Sequence, residues 1–175
     1  MKYGISVLLL ACCLALTACE STPQPGPVTG VVDVERVLRE SSPAKDARKH
    51  LEEARAVLQK GMDALQEEWK DAPEAERHKA VAEGLAALSR QMAAEEAAAN
   101  AVVMKLLREE CEKWRATHKA LAVASRQNLL AVDAGADITT EIVAAMNARS
   151  PEFSPLPAVQ VTKRNVGGKS KDETK

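Results

Sequence analysis

Aromatic side chains are nearly missing from this 175-residue chain: Tyr3, Trp69, Trp114 and Phe153 make up 2% of it. A core built around large rings is excluded, so the apolar share of 46% must come from Ala, Leu and Val. Cysteines are too few and badly placed to staple anything. Cys12 and Cys13 lie in an N-terminal apolar run, Cys19 closes that run, and Cys111 stands alone. Cys111 reads as a small buried residue, with a reactive or intermolecular thiol as the alternative. There is no excess of one charge. With 24 Lys and Arg against 25 Asp and Glu, the chain carries no electrostatic footprint for nucleic acid or an anionic membrane surface. Catalytic motifs are missing too: no HExxH, no CxxC, and no Gly-rich phosphate loop after a strand. His50, His78 and His118 have no ligand partner at a recurring spacing and read as solvated helix-face residues. The glutamate pairs 67–68, 95–96 and 109–110 face no base. The expectation is a protein that is not an enzyme, with no catalytic residue, cofactor or metal.

What is present starts at Cys19. Met1-Lys2 opens an apolar run from Ile5 to Leu16, and small residues precede Cys19. A charged start, a short apolar stretch and small residues before a cut form a secretory signal peptide. The run is about 12 residues, too short for a hydrocarbon core that needs ~20. Leu16-Thr17-Ala18-Cys19 resembles the lipobox of bacterial lipoproteins, whose cysteine becomes the lipidated first residue of the mature chain. Residues 1–18 are thus read as signal and Cys19 as the lipid attachment site. Residues 19–27, with three prolines, form an extended tether.

The rest reads mostly as helix. Residues 28–34 are β-branched and short, the profile of a strand. From Glu35 the spacing becomes helical, and Ser42-Pro43 marks a helix start. Leu51, Ala54, Leu58, Met62, Leu65, Trp69 and Ala72 recur at steps of three and four, a coiled-coil seam. Pro73 breaks it, with Asp71 and Glu74 as a capping box. A second run passes through Val81, Leu85, Leu88, Met92, Ala99, Val103 and Leu106 to Trp114, and Glu95 with Glu96 would interrupt its seam. Two long helices around a tight break should form an antiparallel hairpin, with arms at about 43–118. The second arm is longer by about 16 residues, ~24 Å of helix, so it should bend or end before His118. Residues 120–124 and 129–132 flank a polar turn and read as a β-hairpin, with helix continuation as the competitor. Asp137 or Thr139 caps a short last helix carrying Ile138, Ile142, Val143 and Met146. Residues 150–175 lack periodicity and read as a disordered tail.

The order strand, long helical hairpin, strand pair, short helix resembles the Skp/OmpH family of periplasmic chaperones. Residues 30–38, Glu40-Ser41, Ala44-Lys45, Ala47 and Leu51 are similar to that family's opening. Residues 129–133, 137–142 and Met146-Asn147 are similar to its close. The resemblance covers roughly 28–149. It implies a mostly α fold with a small β part: a coiled-coil hairpin arm on a β-sheet body completed by trimerisation. It also implies an ATP-independent holdase that shields unfolded outer-membrane proteins between its arms. Val32, Val34, Leu130 and Val132 would then be buried between subunits, because short strands cannot cover their own faces. Met62, Leu65, Trp69, Met92 and Met104 would be the client contacts; the other reading, favoured for Trp69, makes it a cap of the coiled coil and the rest plain core. The chain expected from all this is a periplasmic, membrane-anchored lipoprotein of a Gram-negative-type bacterium that binds no nucleic acid. The other reading is a structural or adaptor envelope lipoprotein whose coiled coil is a spacer.

Overall fold

The computed structural model describes residues 28–161; the expected signal peptide, Cys19, the tether and the chain beyond 161 lie outside the described residues. The described chain is mostly helical, with one long hairpin and one two-stranded sheet. Strand β1 (Thr29–Val32) leads into helix α1 (Val34–Glu40), then α2 (Ser42–Glu68) and α3 (Glu74–Thr117). Strand β2 (Ala122–Ser125), two short 3-10 turns at 126–128 and 134–136, and helix α4 (Thr139–Asn147) follow.

The strand expected over 28–34 ends at Val32, since the Asp33 carboxylate accepts the backbone N–H of Arg36 at 2.9 Å and starts α1. Ser41, not Ser42, is the N-cap of α2; the Ser42 N–H is instead taken by the Asn147 side chain at 2.7 Å. No side chain caps α3, so the capping box expected from Asp71 and Glu74 does not form; Pro73 sits at the cap position. At its other end α3 closes through a left-handed residue, Lys119 (φ 51°), with the Ala120 N–H reaching back to the Arg115 carbonyl at 2.9 Å.

The β-hairpin expected within 120–132 is absent. Only its first limb is a strand, and β2 pairs parallel with β1, Thr29 facing Ala122 and Val32 facing Ser125. Residues 126–128 turn away from the ladder, Arg126 holding Asp137 at 3.1 Å, and Leu129–Val132 runs on without regular structure. The other edge of β1 is occupied as well, because Ile138 donates its N–H to the Val31 carbonyl at 2.9 Å.

Helix α2 has 27 residues and α3 has 44. The surplus of α3 stays helical as far as Thr117, with His118 as its C-cap. It runs past the start of α2 into the body, where α4 and the sheet cover it. The core lies there: Val37, Val103, Leu107, Ile142 and Met146 are at most 3% exposed. Each such side chain contributes roughly 1.5–3 kcal/mol by leaving water. Thr139 ties the body together by accepting the Asp33 N–H at 2.9 Å across 106 residues of sequence.

Candidate functional site

The hairpin seam follows the expected steps on α2, where Ala54, Leu58 and Leu65 are buried. On α3 the expected Leu88, Met92, Ala99 and Val103 also face inward, and the seam departs from expectation at Leu85 and Glu95. Leu85 is exposed, and the inward face runs through Gly84, Leu88, Met92, Glu95, Ala99 and Val103. Glu95 does not interrupt this seam; it is buried in it, 7% exposed. Gln91 donates to its carboxylate at 2.7 Å, and His50 Nε2 lies 3.8 Å away. His50 is therefore not a solvated helix-face residue, since its side chain is only 12% exposed. Its partner comes from the facing helix, which no spacing within one helix could reveal.

Residues 151–161 are also placed. The expected disordered tail, as far as it is described, lies back along the arm. Phe153 stacks on His50 with ring centres 5.1 Å apart and planes 16° from parallel. Farther along, Val159, Gln160 and Val161 enter a groove between the outer parts of α2 and α3, lined also by Gly61, Leu65, Trp69 and Gly84. About 620 Å³ of this groove remains open beside them. Nothing in the sequence reading pointed to this groove; the signal it passed over is two glycines inside helices, Gly61 and Gly84, each costing about 1 kcal/mol of helix stability relative to alanine.

Of the expected client contacts, Leu65 and Trp69 line the groove. Met62 and Met92 are half-buried along the arm, and Met104 packs beside the body core. The expected subunit contacts are not brought to one face. Val32 is 4% exposed, buried by its own chain, and Val34 is a partly buried residue of α1 rather than of a strand. Val132 is half-buried, whereas Leu130 is fully open to solvent at 108%. Leu121 and Leu129, which sequence reasoning did not single out, are the other exposed leucines of this region.

Charged groups cluster where α3 meets the end of α4. Burial pushes the Glu110 carboxyl up, but hydrogen bonds from Lys113 and Arg149 outweigh it and hold its pKa below the usual carboxylate range. Burial, with Glu110 adjoining, pushes the half-buried Cys111 thiol up, which keeps it protonated. Among the described residues no group of three or more His, Cys, Asp or Glu could hold a metal ion. No described helix is long and apolar enough to cross a membrane.

The site and fold thus define a protein with a long helical arm, a groove near its tip and a small mixed body. No protein-family model matches the chain, and no curated protein is significantly similar to it. Among solved structures, it is similar to a candidate OmpH-like outer membrane chaperone from Caulobacter crescentus CB15. The two are 16% identical, the match covers 81% of this chain and 93% of that one, and the TM-score is 0.39.

Proposed function

We propose that this chain is a chaperone-like holdase of the bacterial envelope, exported by its signal peptide and held at a membrane by acyl chains on Cys19. It works in the periplasm without ATP, shielding unfolded outer-membrane proteins along its helical arms. One observation carries this reading: the outer arm keeps an apolar groove open, and an extended segment of polypeptide already lies in it. A binding surface for unfolded chains needs this kind of shallow, adaptable apolar contact. The near-neutral charge balance makes apolar burial the main source of affinity.

Assembly into a homotrimer belongs to the same proposal. A parallel sheet is normally covered on both faces, and two strands alone are marginal. Here β1 is flanked on both edges, β2 pairs on its inner edge with β1, and the neighbouring Leu121 and Leu130 stand in solvent. Neighbouring chains would cover them.

The buried inner seam of Ala54 and Leu58 also fits a spacer or adaptor, the competing reading. The purified mature protein decides between them. A holdase stops an unfolded outer-membrane protein aggregating when it is diluted from denaturant, at near-stoichiometric amounts. A spacer leaves the aggregation curve unchanged.

A further inference from the structure

The segment in the groove has the pattern of an extended chain that reads one surface. Val159 and Val161 are half-buried and Gln160 between them is exposed, so alternate side chains face the arm. Pro151, Pro155 and Pro157 precede them and favour an extended approach, which lowers the ordering cost of laying the strap down. The seat itself is shaped for this. A methyl group at Gly61 would overlap the Val159 side chain, whose Cβ would be 2.9 Å away. A methyl group at Gly84, opposite, would overlap Leu65. Both helices therefore give up side-chain volume, at a cost in helix stability, where the strap and the groove wall meet. The strap leaves the groove unfilled, with about 620 Å³ beside it.

We propose that this groove is the client seat and that Val159–Val161 is a tethered competitor, displaced by an extended client segment with apolar residues at alternate positions. The inference rests on the holdase reading and gives it a location and a regulator. The occupant follows from the segment seen there: what fits is extended, apolar on one side and polar on the other. That is the alternation of a β-barrel strand before it folds. A strap joined to its groove by a short linker competes at an effective concentration in the millimolar range, so weak clients are excluded and strongly apolar ones enter. If the strap closes the groove nine-tenths of the time, its removal tightens client binding about tenfold.

The test uses the mature full-length chain, a chain ending after Ala158, and the full-length V159D/V161D variant, each checked for native helicity. The probes are a labelled synthetic peptide with valine at alternate positions, read by fluorescence anisotropy, and an unfolded outer-membrane protein, read by aggregation. Both altered chains should bind the peptide about tenfold more tightly than the unaltered chain. Gly61→Leu, introduced into the shortened chain, should abolish that gain by filling the seat. Equal or weaker peptide binding by both altered chains, or no binding by any, overturns the inference. If peptide binding behaves as expected but no chain protects the unfolded protein, the holdase reading fails by itself. Protection by the unaltered chain with no gain on strap removal leaves that reading standing and sinks the competitor.

Discussion

Trp114 of α3 lies against Gly30 of β1 so closely that a Cβ at position 30 would come within 2.7 Å of the indole Cζ3. The same atom would be 2.8 Å from Ile138 Cδ1. The indole cannot swing aside cheaply, because its Nε1–H donates to Glu141 at 2.8 Å and the His118 ring stacks on it at 4.3 Å. The surplus length of α3 is thus anchored to the sheet through one missing side chain.

Gly30→Ala should therefore destabilise the body by about 1–3 kcal/mol, the usual cost of overpacking. Circular dichroism on heating should show Tm falling by several degrees. An unchanged Tm would mean that the sheet shifts freely against α3, and that the contact does not hold the body.

Glu110 makes stability depend on pH. Its folded pKa lies below the usual value, Lys113 donating at 2.8 Å and Arg149 also donating. A carboxylate of this kind stabilises the fold above its unfolded pKa of about 4.3. The contribution is lost as pH falls through the lower folded value. Glu110→Gln should cost about 1 kcal/mol at pH 7, where the charge-assisted hydrogen bonds are lost. The gap should narrow towards pH 3. Urea midpoints at both pH values measure this, and a constant gap would remove Glu110 as its source.

The arms were legible in the sequence because a period of three and four survives wherever both helices bury the same face. Their partners across the seam were not. Glu95 at a seam position looks like an interruption until His50 is brought to it, and His50 is 45 positions away on the other helix. The second limb of the expected β-hairpin, 129–132, has the right apolar residues but no partner strand among the described residues. Pairing of β2 went instead to β1, fastened at its start by the Leu121 N–H to the Val28 carbonyl at 2.8 Å. That choice spans some 90 residues and leaves no local trace. The strap was hidden for another reason: proline-rich sequence has no period, and Gly61, the helical glycine that faces Val159, marks a close approach only once the packing is known.

Lipidation is tested at one atom. Several acyl chains, each buried CH₂ worth ~0.8 kcal/mol, would hold the protein at a membrane far longer than one chain could. Cys19→Ser should move the protein to the soluble fraction or leave its signal peptide uncut. An unaltered protein found wholly soluble, with no acyl mass on its N-terminal peptide, would refute the anchor.

Trimer formation needs a variant that spares the subunit's own core. Val32→Asp would be a poor choice, since Val32 is buried by its own chain and a charge there costs several kcal/mol whatever the assembly. Leu121 and Leu130 are the better probes, at 71% and 108% exposure, because a lone subunit gains little from either. Their replacement by Asp should leave the helical signal of the isolated chain intact while placing two charges in the contact that neighbouring subunits would share. Sedimentation of the unaltered protein at micromolar concentration should give a trimer, and the double variant should sediment as smaller species with its helicity retained. A stable folded monomer for the unaltered chain would end the trimer reading. A trimer that survives both substitutions would move the interface away from Leu121 and Leu130, and the cleft of about 500 Å³ beside Val34 and Met104 would be the next place to put a charge.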